Sequence, residues 1–231
     1  FASSVLTGDR SCNSSRLRQL KLFVSTICGF YQESVSFSLR TRILIFFLHV
    51  SRVLLSMKIA MSCTGEGLGH AARTVALAQM LRDRYEIVVF APRKLFPFLI
   101  ENLGNVPVED IPYFSFAKVR ERIHYAGTTY RNIPGLFRFP VEVSRIVRRF
   151  RRHEIKALIS DYDPYCSFAA DRIGLPILQI NHPSVVLRRR DYSLESITAK
   201  LISILLMGKY HRKLIVSFYD GDVGPIVRRS L

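Results

Sequence analysis

Residues Met57 to Ala91 read MKIAMSCTGEGLGHAARTVALAQMLRDRYEIVVFA, and this stretch decides the fold. Lys58 to Cys63 is a short apolar run that ends in the glycine-rich turn Thr64 to His70. Ala71 to Leu81 then places Val75, Ala78 and Leu81 at helical spacing, and Glu86 to Ala91 is apolar again. The spacing predicts a strand, a loop, a helix and a second strand.

The same rhythm continues to the end of the sequence. Pro92 to Leu103 forms a helix stopped by Gly104, and Val106 to Ile111 a third short strand. Tyr113 to Pro134, rich in aromatic and basic residues, reads as an irregular, mobile insertion. Val143, Ile146, Val147 and Phe150 fall at i, i+3, i+4 and i+7, the stripe of a core-facing helix. Ala157 to Ser160 is a strand, Pro164 to Ile173 a helix, and Ile177 to Ile180 a strand after Gly174. Leu194, Ile197, Leu201, Ile204 and Leu205 mark a last helix, with Ser193 as N-cap and Gly208 as stop, before the strand Lys213 to Phe218. Such alternation implies an α/β fold: a doubly wound, mostly parallel, Rossmann-like sheet covered on both faces.

Residues 1–56 do not share this rhythm. They are Ser-rich, and their apolar stretch Ile43 to Leu55 is interrupted by His49 and Arg52. That stretch is far short of the ~20 residues needed to span a bilayer, which leaves a signal-like or anchoring reading. The expectation is that 57–231 is the domain, that Met57 is its natural start, and that 1–56 is a processed leader or translated upstream sequence.

Hydrophobic residues make up 48% of the 231-residue sequence and charged ones 23%, a globular rather than disordered composition. Cys12, Cys28, Cys63 and Cys166 have neither C-x-x-C nor metal-ligand spacing, which argues against a disulfide framework or a zinc site and suits a reducing, cytoplasmic setting. The net charge of +16 favours polyanionic partners: nucleic acid, an anionic membrane surface or phosphorylated small molecules. No recognised nucleic-acid motif accompanies that charge.

In a doubly wound sheet, ligands bind beyond the carboxyl ends of the strands. After the first strand, Gly65, Gly67 and Gly69 permit positive φ and close approach of a ligand to backbone N–H groups at a helix N-terminus. The loop is neither the dinucleotide fingerprint, which requires glycine where His70 stands, nor a Walker A loop, which requires Lys followed by Ser or Thr. A tight structural turn is the competing reading. His70 at its end is the candidate general base, since imidazole exchanges a proton near neutral pH and the helix dipole disfavours a positive charge there. Glu66 either binds a substrate hydroxyl or favours the helix dipole.

After the fourth strand, Asp163 before Pro164 reads as a helix cap, whereas Asp161 either orients His70, holds a substrate hydroxyl or is a solvated loop carboxylate. Asn181 and His182 follow the fifth strand and Phe218 to Gly221 end the last one; each is either a ligand contact or a plain turn. Arg145, Arg148, Arg149, Arg151 and Arg152 surround the apolar stripe of one helix, and Arg188 to Arg190 form a second cluster. Both read as solvated charged faces, with anionic lipid headgroups as the alternative partner.

The segment Met57 to Arg73, with its G-x-G-x-G-H-x-x-R pattern, resembles the amino-terminal loop of GT-B glycosyltransferases. It is similar in particular to those related to the peptidoglycan N-acetylglucosaminyltransferase. Ile159 to Pro164, Gly174 to Pro183 and Gly224 to Arg228 resemble the same group in content and spacing. The resemblance implies one half of a GT-B architecture, the half that binds the acceptor, with the sugar supplied as a nucleotide-sugar substrate and no other cofactor or metal. It assigns Gly65, Gly67, Gly69 and His70 to the acceptor-side loop, with His70 as base or acceptor ligand.

The family continues into a donor-binding half, for which this sequence leaves no room before Leu231. The expectation is a fragment of a longer transferase, inactive alone; the alternative is a half-enzyme whose donor domain is a separate polypeptide. The partners implied are a small-molecule or lipid-linked acceptor, the donor half in cis or in trans, and an anionic membrane surface for peripheral association. A sugar-nucleotide epimerase of GT-B shape and a non-catalytic docking domain are the competing functions.

Overall fold

The structure, a computed structural model, describes residues 57–217 except 121, 124 and 189, together with 221–224 and 226. The leader reading of 1–56, and the turn residues Phe218, Tyr219 and Asp220, lie outside the described residues.

The chain runs β1 (Lys58–Cys63), α1 (Leu68–Leu81), β2 (Glu86–Ala91), a 3-10 turn (Arg93–Leu95), α2 (Phe96–Leu103) and β3 (Val108–Asp110). A two-stranded hairpin, β4 (Lys118–Val119) and β5 (Arg122–Ile123), precedes the long helix α3 (Tyr125–Arg152). Then come β6 (Ala157–Asp161), α4 (Pro164–Arg172), β7 (Ile177–Asn181), a 3-10 segment (Pro183–Arg188), α5 (Leu194–Met207) and β8 (Arg212–Ile215). Six strands form one sheet in the order β3-β2-β1-β6-β7-β8. Every pairing within it is parallel.

From β1 the chain steps outward through β2 to β3, and then returns by way of α3 to β6 on the other side of β1. With right-handed crossovers, that reversal places α1 and α2 on one face and α3, α4 and α5 on the other. The packing agrees: α1 lies against α2, and α4 against both α3 and α5. The central strands β1, β2, β6 and β7 are buried on both sides, hence their unbroken apolar runs. On the α3 face, Val143, Ile146, Val147 and Phe150 pack onto Ala60, Val88, Phe90 and Leu158, with Phe90 edge-on to Phe150 at 4.9 Å.

Local signals set several boundaries as expected. The Asp163 side chain caps α4 by accepting from the backbone N–H groups of Tyr165 and Cys166, and Ser193 caps α5. Gly104 and Gly208, at φ 61 and 68, end α2 and α5.

Three expectations need correction. First, α1 starts at Leu68, so Gly69 and His70 belong to the first helical turn and the loop proper is Thr64 to Gly67. Second, residues 125–134 are not an irregular insertion but the start of α3, which passes through Pro134 and Pro140. Each proline removes one main-chain hydrogen bond, but Asn132 and Phe139 on either side are fixed to neighbouring elements by a hydrogen bond and ring contacts. Third, α5 has the expected span but the opposite buried face. Ile197, Leu201, Ile204 and Leu205 are exposed, while Ser203, Leu206 and Met207 are buried, the last two packed with Tyr162.

Candidate active site

Strands β1 and β6 are adjacent, and the chain leaves them in opposite directions, toward β2 and toward β7. Loops that diverge from neighbouring parallel strands open a crevice at their carboxyl ends. In register, the last residue of β1, Cys63, stands beside the last residue of β6, Asp161. The Thr64 N–H donates to the Asp161 carbonyl at 3.2 Å and ties the two exits together.

The turn out of β1 depends on two glycines. Gly67 caps α1 at φ 88 and ψ 164, a region closed to side chains with a Cβ. Gly65 has no room for one: a Cβ there would lie 2.7 Å from the Tyr113 ring and 2.9 Å from Lys94. The Lys94 ammonium sits over that ring at 4.1 Å. Glu66 accepts from the Phe116 N–H at 3.1 Å, which tethers residues 113–117 to the turn and engages one of its oxygens within the protein.

His70, in the first turn of α1, reaches across the β1/β6 gap. Its Nδ1 lies 2.9 Å from Asp161 Oδ1, and Arg73 Nε donates to Asp161 Oδ2 at 2.7 Å. Arg73 stands one turn after His70 on the same helix face. All three are sheltered, the side chains of His70 and Arg73 being 13% exposed and that of Asp161 4%. A carboxylate only accepts hydrogen bonds, so Nδ1 carries the proton in this contact and the neutral ring keeps its lone pair on Nε2. The arrangement therefore presents a proton acceptor whose tautomer is set by Asp161 and whose counter-ion is held in turn by Arg73.

Tyr162 supports the pair from behind. Its backbone is left-handed at φ 61, a conformation uncommon for a tyrosine and often found at functional sites. Its ring stacks on His70 at 6.2 Å between centroids, and its hydroxyl meets Ser203 Oγ at 3.3 Å. The Tyr162 N–H donates to Gln179, which donates onward to Ser167 and to the Met207 carbonyl. Burial raises the Tyr162 phenol above its usual value, so it remains a neutral donor.

Cys63 beside Asp161 is not a nucleophile. Burial first, and then the Asp161 charge, push its thiol far up and leave it protonated. Asp163 is a fully buried cap, its carboxyl raised by burial against the hydrogen bonds from Cys166 and Tyr165.

Asn181 and His182 stand at the end of the neighbouring strand β7. Asn181 is fully buried and turned inward, its Oδ1 accepting from the Ser184 N–H at 3.0 Å, so it serves the turn after β7. Exposed His182 donates from Nδ1 to the Val216 carbonyl at 2.8 Å and keeps Nε2 free to accept at the same sheet edge. Arg73 and Tyr162 were not among the sequence candidates. The spacing His70-x-x-Arg73 was the available signal for the first, whereas nothing in the sequence marks the left-handed backbone of the second.

The family described as Glycosyl transferase family 1 matches residues 57–227. The chain belongs to this family. As a glycosyl transferase family 1 domain with an all-parallel, doubly wound sheet, it is one Rossmann-like half of a GT-B architecture. No curated protein matches the chain. Among solved structures it is similar to MurG of Acinetobacter baumannii, with 15% identity, a TM-score of 0.39, and coverage of 54% of this chain and 35% of that one. It is also similar to Os79 from O. sativa, in complex with UDP, with 12% identity, a TM-score of 0.47, and 70% and 47% coverage. SnogD from Streptomyces nogalater gives 18% identity, a TM-score of 0.38, and 70% and 44% coverage. The chain thus spans less than half the length of each of these proteins.

Proposed function

We propose that this domain is the acceptor-binding half of a glycosyltransferase, with His70 as the base that activates the acceptor hydroxyl. The observation that carries the proposal is the 2.9 Å contact of His70 Nδ1 with Asp161 at the strand-order reversal, which leaves Nε2 as the lone-pair nitrogen. The acceptor O–H gives its proton to Nε2 as its oxygen bonds to the anomeric carbon of a nucleotide sugar, and the bond from that carbon to the diphosphate breaks. Asp161 stabilises the imidazolium that forms, and Arg73 keeps Asp161 in place.

The N–H groups of the first turn of α1, uncovered by any cap side chain, offer donors to acceptor oxygens, and Gly69 gives them open access. The nucleotide sugar binds to a second domain, in cis or in trans, which stabilises the departing diphosphate. The reading is tested with the domain joined to that donor-binding half. His70→Gln lowers turnover by roughly 10²–10⁴ while circular dichroism and the melting temperature hold. Turnover at the unmodified rate overturns it.

A further inference from the structure

The fully buried residues of α3, Val143, Ile146, Val147 and Phe150, all lie in its C-terminal third, with Phe139 packed against the core one turn earlier. The 28 residues of the helix extend about 42 Å, more than twice the ~17 Å of a five-residue strand. The N-terminal half consequently extends past the ligand edge, where Thr128 and Asn132 are hydrogen-bonded to residues 115 and 117 beside the Glu66 tether. One line along the exposed surface of the helix is apolar and then basic. Tyr130, Ile133, Phe137 and Val141 are 78%, 40%, 82% and 53% exposed at spacings of three and four. Arg145, Arg148 and Arg152 continue the same line, and with Arg149 they line a surface hollow of about 280 Å³.

Acidic neighbours offset only part of this charge. Glu142 pairs with Arg145, and Glu109 with Arg149 and Arg152. Arg138, Arg148 and Arg151 are exposed and, among the described residues, have no carboxylate partner.

We propose that this face of α3 docks the protein on an anionic lipid surface, Tyr130, Ile133 and Phe137 entering the headgroup region and the arginines pairing with lipid phosphates. Charge complementarity selects the occupant: guanidinium groups bind phosphate oxygens in pairs, and aromatic rings settle at the headgroup boundary. Shallow insertion into a bilayer needs no more than a ridge of this kind. No helix among the described residues is long and apolar enough to cross a membrane, so the contact is peripheral. Docked in this way, the ligand edge from which α3 projects faces the bilayer side. The proposal is independent of the transfer chemistry and is tested without it.

The full chain is mixed with vesicles of phosphatidylcholine alone, or of phosphatidylcholine with phosphatidylglycerol, and sedimented. It is expected to pellet with the anionic vesicles only. Arg145→Gln with Arg148→Gln weakens binding by about fivefold per arginine removed, and Phe137→Ser weakens it as well. Arg82→Gln with Arg84→Gln, exposed residues after α1 that lie outside this stripe, leaves binding unchanged. Equal loss in this last pair reduces the effect to net charge and overturns the proposal, as does failure of the unmodified chain to pellet. The sequence contains no tryptophan, so Phe137→Trp gives a single reporter. Its emission shifts to the blue with anionic vesicles if the ridge inserts; an unshifted spectrum, as when the face meets a protein instead, overturns insertion.

Discussion

His70 and Asp161 stand 91 residues apart in sequence and 2.9 Å apart in space, joined because β1 and β6 end side by side. Asp161→Asn separates the function of this contact from its shape. An asparagine can present its amide to Nδ1, which favours the proton on Nε2 and removes the acceptor lone pair. Under the proposed function, transfer by the domain joined to a donor-binding half is then expected to fall by roughly 10²–10⁴ with acceptor affinity little changed. Steady-state kinetics, with kcat and KM measured separately, checks it. A loss confined to KM assigns Asp161 to acceptor binding instead.

Arg73 is expected to matter to stability as much as to activity. Its guanidinium donates to a carboxylate whose side chain is 4% exposed, so Arg73→Leu leaves a sheltered charge short of its main counter-ion. Breaking a pair of this kind costs about 3 kcal/mol. Urea denaturation reads the loss, and Arg73→Leu combined with Asp161→Leu recovers part of it. A cost for the double variant equal to the sum of the two single ones means the residues do not interact.

Gly65 and Gly67 of the turn and Gly69 of α1 respond differently to a methyl group. Gly67→Ala forces φ 88 on a residue with a Cβ and costs about 1–3 kcal/mol. Gly65→Ala displaces Tyr113 at a cost of roughly 1–3 kcal/mol. Gly69→Ala meets nothing within 4 Å and lies in a helix, so it raises stability by about 0.5 kcal/mol. If the acceptor approaches the helix N-terminus at Gly69, the same change lowers acceptor affinity. Thermal melts alongside acceptor titrations distinguish the two effects.

Acid is expected to weaken the anchor of α3 to β3. Partial burial raises the Glu109 carboxyl, but the hydrogen bond from His153 and the charges of Arg152 and Arg149 outweigh it and hold it below the ordinary value of 4.5. A depressed folded value stabilises the protein above the unfolded value, and this contribution fades as pH falls through the folded one. The stability difference between the unmodified protein and Glu109→Gln is therefore full near neutrality, shrinks as pH falls below 4.5, and is lost once the folded carboxyl is itself protonated. Denaturation midpoints across that range check it, and a gap that widens in acid contradicts it.

The elements themselves were legible from short stretches of sequence. Lys58–Cys63 and Glu86–Ala91 have the expected bounds, because each is a continuous apolar run closed by a turn. Asp163, Ser193, Gly104 and Gly208 end helices by hydrogen bonds or dihedral angles within a few residues of themselves. His70 was legible as a site candidate from its place after a strand, and Asp161 from the lack of a local role.

The sequence by itself determined what is decided over a few residues: the alternation of strand and helix, most of the caps, and the parallel sheet that this alternation requires. Only the tertiary structure decided what depends on distant partners. Sheet order set Cys63 beside Asp161 and so joined His70, Asp161 and Arg73. Packing carried α3 through Pro134 and Pro140, and it buried Leu206 and Met207 of α5 rather than its more apolar stripe. The physical reason is one of range: dihedral preferences and caps act between near neighbours, whereas burial and strand pairing are set by whichever surfaces the whole chain brings together.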